Sequence, residues 1–415
     1  MKFYQLDAAG RLQQLVQEGA LTSVDADFWQ QASVLPASVA GALSENQIGQ
    51  FALPLGVCRD LLVDEAVYQV PMSTEEPSVV AAASNGARLA HLGGGVKTQT
   101  TPHLVSGEIV FSDLADTAAA TKLIEQREAL LYQTAEAAHP SIVRRGGGLR
   151  HIAVTPVAEF LKIELEIDTQ AAMGANIVNT ICEAVAKLIG EWVEQAALVA
   201  ILSNQSNQLT TATVTLPVAA VATKAQSGAV VAARIAKLSR LAQVDVGRAV
   251  THNKGIMNGI VAGALATGND TRALSAAVHA YASHDGQYRG LSTWEVVDGE
   301  LYGRLALPLP VGVVGGAISA LPAAQAAKRL GGYQTVQTLQ RVLAALGLVQ
   351  NLAALRALAG PGIQQGHMAL QANALAIQAG ARGAEIQALA AALQATDKNL
   401  ATAQALLEQL RQQKG

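Results

Sequence analysis

The stretch LKIELEID, residues 161–168, sets apolar Ile163, Leu165 and Ile167 against charged Lys162, Glu164 and Glu166 in strict alternation. A period of two puts each set on its own face of a strand, whereas a helix would scatter both around its axis. The neighbouring segments extend that constraint. SGEIVFSDL (106–114) and HIAVTPVAEF (151–160) read as strands. DTAAATKLIEQREALLYQTAEAA (116–138) reads as one long helix, GANIVNTICEAVAKLIGEWVEQAA (174–197) as a second, RGGGLR (145–150) as a turn, and TATVTLP (211–217) as a last strand. The order β-α-β-β-α-β is that of a ferredoxin-like split motif, which predicts a small domain over 105–216.

The flanking regions have a different texture. GRLQQLVQEG (10–19) has a helical pattern, and ENQIGQFALPLGV (45–57) reads as an extended segment ending in a turn. Pro77 behind Glu75 and Glu76 is a good helix opening, because proline suits the first turn and carboxylates suit its positive end. The run SVVAAASNGARLA (78–90) then predicts a helix able to pack very closely. Half of all residues are apolar, many of them alanine, and aromatics make up only 4%. That balance favours closely packed helices over a β-sandwich. LALPLPVGVVGG (305–316) echoes FALPLGV (51–57) as a second strand-turn piece. The last fifty residues read as short amphipathic helices broken at Gly380 and Gly383, a terminal cap. The expected class is α+β: a large, mostly helical domain (1–104 and 217–362), interrupted by the small domain (105–216) and followed by a C-terminal helical segment (363–415).

Several function classes are excluded at this level. A net charge of −3 makes no electrostatic case for nucleic acid. The N-terminus MKFYQLDAAG carries charges where a signal peptide needs an apolar run, and no uninterrupted apolar run reaches transmembrane length, so a cytoplasmic location is expected. Cys58 and Cys182 cannot build a disulfide framework and read as inert buried thiols. No G-x-G-x-x-G follows a strand, and the P-loop, H-E-x-x-H and G-x-S-x-G patterns are missing. The eight histidines do not fall at metal-ligand spacing, so no metal is expected.

Three places carry chemistry. In AVTHNKGIMNGIVAGALATGND (249–270), Lys254 is the one charged side chain between Arg248 and Asp270. A lysine in a segment that reads as buried is costly unless paired; the alternative is a snorkelling surface lysine with a turn aspartate. Glu75 and Glu76 are adjacent carboxylates in an apolar setting, suited either to general-acid work or to complementing a helix dipole. His367 follows Gly366 in QQGHMALQ, as a proton donor or as a structural histidine.

Taken in order, ENQIGQFALPLGV, PMSTEEPSVVAAASNGAR, AMGANIVNT, VGRAVTHNKGIMNGI, ATGNDTRA and GHMAL resemble 3-hydroxy-3-methylglutaryl-coenzyme A reductase of the soluble bacterial type, class II. The resemblance runs from FYQL near the start to the C-terminal cap. It implies that the large domain binds the acyl-coenzyme A, that the small domain binds NAD(P)H, and that residues 363–415 form a flap over the active site. It implies an active site at a subunit interface, hence a homodimer or an oligomer of dimers. The family reaction reduces hydroxymethylglutaryl-coenzyme A to mevalonate and coenzyme A by two successive hydride transfers.

By the same resemblance Lys254 is the cation that meets the developing oxyanion, and Asp270 holds and charge-balances it. Glu76 supplies a proton to the carbonyl oxygen at the aldehyde stage, and His367 protonates the departing thiolate, from a flap that arrives after substrate. Arg248 matches the arginine that binds the substrate carboxylate, with Ser78, Thr251, Asn258 and Gln350 lining the acyl pocket. Met173, Gly174, Ala175 and Asn176 open a helix where a pyrophosphate can approach backbone N–H groups, and Asn204 lies toward the nicotinamide. The family motif usually has Asp before Ala-Met-Gly; here Ala171 precedes Ala172-Met173-Gly174. Arg144 and Arg145, with His139 nearby, suit a 2′-phosphate, which leans the expectation to NADPH over NADH; as solvated turn residues they would decide nothing. Two other readings stay open. A helical scaffold would bind partners without Lys254, Glu76 or His367, and an inactive relative is kept open by Ala171.

Overall fold

The computed structural model describes residues 2–31, 35–360, 372–393, 396 and 399–412. Its strands are β1 (Leu55–Val63), β2 (Ala66–Ser73), β3 (Lys97–Thr100), β4 (Leu104–Phe111), β5 (Gly148–Val157), β6 (Phe160–Asp168), β7 (Val199–Leu202), β8 (Leu209–Pro217), β9 (Ser292–Val297) and β10 (Glu300–Pro308). They make a β1–β2 hairpin and two four-stranded antiparallel sheets, in the orders β3-β8-β10-β9 and β5-β6-β4-β7.

The second sheet is the ferredoxin-like one. In β6, Ile163, Leu165 and Ile167 are fully buried while Lys162, Glu164 and Glu166 are half-buried on the other face, as the alternation requires. The buried face packs on the helices Thr117–Gln126, Glu128–Ala138 and Ala175–Val193 in a core of its own. Cys182 lies in that core, where burial pushes its thiol up to about 12; Cys58 in the large core is pushed up to about 12 for the same reason.

Two sequence expectations need correction here. TATVTLP is not the last strand of the small domain. It is β8, paired on one side with β3 and on the other with β10, and its Ala212, Val214 and Leu216 belong to the large core. The last small-domain strand is the short edge strand β7, whose Val199 and Ile201 are exposed and whose sequence VAIL lacks alternation. Alternation identifies a strand but not the sheet it joins. The consequence is geometric: the chain leaves the large sheet after β3 and returns in the adjacent strand β8, so the ends of the insert lie close together. The segment 116–138 is also two helices, broken at Arg127, whose guanidinium sits 5.1 Å over the Trp192 ring.

In the large region the 24-residue helix Val336–Ala359 runs through the core, and the helices Pro77–His91 and Val246–Ala266 pack against it. Small residues set the spacing. A side chain at Gly86 would collide with the carbonyl of Val349, and one at Gly347 would meet Ile256 and Ile260. Among the described residues this helix is the one long and apolar enough to cross a membrane. That refines the expectation from the sequence, and the helix is largely buried inside the fold. Toward the C-terminus, the helices Ala384–Ala392 and Leu400–Gln412 gather around Leu389, Leu393 and Leu407, with Gly380 and Gly383 at positive φ between helical turns.

Candidate active site

Asp245 opens the helix Val246–Ala266 by accepting from the Arg248 amide at 2.6 Å. At 100° per residue, Arg248, Thr251, Lys254 and Asn258 fall within an arc of about 120° on that helix. The opposite arc carries His252, Asn253, Ile256, Met257 and Ile260, all buried. A polar network fixes this inner face. His252 Nε2 lies 2.7 Å from Ser292 Oγ, and both Ser292 Oγ (2.9 Å) and Trp294 Nε1 (2.7 Å) donate to Asn351 Oδ1. Burial, reinforced by the Arg248 cation, pushes His252 down to about 4, so it is neutral near pH 7.

Lys254 itself is exposed, and among the described residues it makes no ion pair. The expected buried lysine paired with Asp270 is therefore corrected. Its neighbours are buried as expected, but the side chain lies on the outer arc, which the described residues leave exposed at Lys254. Asp270 instead caps the helix Thr271–Tyr281, accepting from the Arg272 and Ala273 amides, and pairs with the Arg272 guanidinium at 3.0 Å. The Arg272 hydrogen bond, outweighing partial burial, holds the Asp270 carboxyl below the usual carboxylate range.

Glu76 caps the helix Pro77–His91, its Oε1 accepting from the Ser78 amide at 3.1 Å. That puts the Glu76 carboxylate and Ser78 in one turn. Glu75 is exposed beside it. Gln350 lies on the central helix, 3% exposed, against Gly259 of the Lys254 helix, and among the described residues its Oε1 has no partner. A buried carbonyl without a donor is a place where a ligand hydroxyl or amide fits. His367 lies outside the described residues.

A second constellation forms at the small domain. Gly174 takes φ +96° ahead of the helix Ala175–Val193, and no side chain caps that helix. A substituent there would also strike Thr169. Free first-turn amides behind a tight glycine turn suit a phosphate group. Met173 and Asn204 line one cavity together with Ser106, Ser203, Ser206 and Pro310. The sequence names the first two; the serines and Pro310 come from three separate segments, and only the adjacency of Ser203 to Asn204 hints at any of them. Ala175 and Asn176 follow in the first turn, half-buried and exposed. Arg144 and Arg145 are exposed after the short helix Pro140–Val143, and Arg145 Nε donates to Ser141 O at 3.1 Å. Ala171 contributes its backbone, accepting from Val313 N at 2.8 Å. Among the described residues no three of His, Cys, Asp and Glu gather as a metal site.

Residues 8–372 match the family model of hydroxymethylglutaryl-coenzyme A reductase. The chain belongs to this reductase family. The 3-hydroxy-3-methylglutaryl-coenzyme A reductase of Archaeoglobus fulgidus is 41% identical over 391 residues, 92% of this chain and 88% of that protein. A probable reductase of Borreliella burgdorferi is 35% identical over 79% of this chain and 76% of its own length. Among solved structures, a Streptococcus pneumoniae reductase superposes with a TM-score of 0.84 at 39% identity, covering 98% of this chain and 99% of that one. A class II reductase of the same organism, bound to NADPH in open conformations, gives 0.83 at 40% identity over 98% and 100%. The region matched by the family model includes both constellations: the arc on the Val246–Ala266 helix and the glycine turn with its adjoining cavity in the inserted domain. It also removes the scaffold reading, since the match runs through the whole body of the chain rather than its terminal helices.

Proposed function

We propose that this chain reduces hydroxymethylglutaryl-coenzyme A to mevalonate and coenzyme A in the cytoplasm, with NADPH preferred over NADH. The observation that carries the residue assignments is the outer arc of one helix, which holds two cations, Arg248 and Lys254, with the hydroxyl of Thr251 between them and the amide of Asn258 one turn beyond Lys254. On this reading Arg248 binds the substrate carboxylate and Lys254 faces the thioester carbonyl. The nicotinamide supplies one hydride per reduction step. Lys254 would neutralise the alkoxide that reduction of the thioester carbonyl would leave. Cleavage of the C–S bond then yields an aldehyde and a thiolate that takes its proton from His367. The second reduction places a hydrogen on the aldehyde carbon and a proton from Glu76 on its oxygen. Asp270, at the cap of the next helix, spends its charge on Arg272.

The Gly174 turn and the free amides of its helix support the pyrophosphate assignment, with Asn204 and Met173 toward the nicotinamide and Arg144 and Arg145 toward a 2′-phosphate. Ala171 leaves this intact because the loop is held through its backbone. The exposure of Lys254 supports a dimer in which a partner subunit covers the outer arc, with the C-terminal segment 363–415 as flap. In steady-state assays the chain consumes two equivalents of NAD(P)H per hydroxymethylglutaryl-coenzyme A and releases one free thiol. Purified protein that binds cofactor but never turns over would favour the inactive-relative reading.

A further inference from the structure

The loop Ala171–Met173 is gripped from both sides by the large region, and one grip comes from His103. The chain passes from β3 to β4 through Thr101, Pro102 and His103, and His103 is 7% exposed at that crossing. Its Nε2 lies 3.2 Å from the carbonyl of Ala172 and 3.3 Å from Thr169 Oγ1, and Thr169 donates to the same carbonyl at 2.7 Å. A carbonyl oxygen only accepts, so the imidazole carries its proton on Nε2 and presents Nδ1 as acceptor. Gln340 Nε2, which donates to Leu309 O at 2.9 Å, faces that Nδ1 at 3.4 Å. On the other side Val313 N holds Ala171 O, and Gly312 packs against the Met173 amide too closely for any side chain. Gly312 N donates to Asn269 Oδ1 at 2.8 Å, and Asn269 immediately precedes Asp270.

We infer that His103 is a positioning residue for the nicotinamide cofactor: by donating to the Ala172 carbonyl it fixes the turn at Met173 and Gly174. The inference rests on the reading that this turn carries the cofactor. Met173 lines the cavity and Gly174 precedes the free amides, so tilting the Ala172 peptide moves both. A displacement near 1 Å is enough to weaken a bound reactant's alignment.

The test is direct titration of NADPH and of NADH, followed by nicotinamide fluorescence, together with KM for each substrate in wild type, His103→Leu and His103→Gln. His103→Leu removes the donor and is expected to weaken cofactor binding about tenfold, the loss of roughly one buried hydrogen bond. KM for hydroxymethylglutaryl-coenzyme A should stay within about twofold, because no acyl-side residue is touched. Glutamine returns an N–H at a similar reach and should restore most of the affinity. Thr169→Val, nearly isosteric, removes the second donor to the same carbonyl and stands in if His103→Leu does not fold. Unchanged cofactor affinity in His103→Leu, or in Thr169→Val where that variant stands in, overturns the inference. So does a parallel rise of both KM values that glutamine does not reverse. If wild type itself binds neither nucleotide, the functional reading falls and this inference with it; if wild type binds and the variants match it, only this inference falls.

Discussion

The two constellations differ in how far the described residues enclose them. The side proposed to take the cofactor is built within the described residues. The Ala171–Met173 loop is held by Val313 and His103, the Gly174 turn is fixed by its positive φ, and the cavity walls come from both regions. The side proposed to take the acyl group is half-enclosed by the described residues. The inner face of the Val246–Ala266 helix is locked by His252, Ser292 and Asn351, while its outer arc, with Lys254, is open. A buried network sets where a helix lies; what covers its far face is a separate question, and on the proposed reading a second copy answers it.

The sharpest way to break this contrast is Lys254→Ala. On the proposed role it should lower kcat by about 10²–10³-fold, the typical cost of removing one oxyanion partner. Circular dichroism and the melting temperature should stay at wild type, since the side chain is exposed. Normal turnover would remove Lys254 from the chemistry.

Dilution tests the same contrast without mutation. If a second copy completes the outer arc, specific activity should collapse at concentrations where sedimentation shows monomer, while NADPH binding persists. Loss of both together would contradict a self-contained cofactor side.

Gly174→Val probes the cofactor side by itself. A valine would be strained at φ +96° and would strike Thr169. KM for NAD(P)H should rise about 10- to 100-fold, for a strain of roughly 1–3 kcal/mol, with coenzyme A binding unchanged in calorimetry.

His252 tests the locked inner face through pH. Its folded value lies near 4 against 6.5 for a free histidine, so the unfolded chain binds the extra proton first as pH falls. Stability from this group is full above about pH 6.5 and is lost between there and about 4. At pH 5 the loss should be about 2 kcal/mol. Melts of wild type at pH 7 and pH 5 should show it, and His252→Gln should flatten it.

The smallest effect is expected at the exposed pair Arg144 and Arg145. Replacing both with Ala should reduce the preference for NADPH over NADH by only a few-fold, as solvated charges contribute little. An unchanged ratio of kcat/KM values would leave them as turn residues.

Much of this was legible beforehand. The alternation at 161–168 predicted β6 and its buried face, and the small-residue run at 78–90 predicted a closely packed helix; Gly86 against Val349 bears that out. The family motifs led to the helix that carries Lys254. Illegible was the partnering. Nothing in TATVTLP says that it joins β3 and β10, and nothing in ATGNDTRA says that the Asp270 carboxylate turns to Arg272 two residues on. The role of His103 is invisible in the sequence because its partners, Thr169, Ala172 and Gln340, lie 66 to 237 positions away.

By itself, then, the sequence determined periodicity, helix openings and the inventory of chemical groups, because each depends on neighbours within a turn or a strand. The tertiary structure alone decided which sheet β8 enters, which side of its helix Lys254 occupies relative to the core, and which carbonyl His103 holds. Those are choices among long-range contacts of similar local cost, settled by packing around the buried helix Val336–Ala359 and by where the inserted domain rejoins the large sheet.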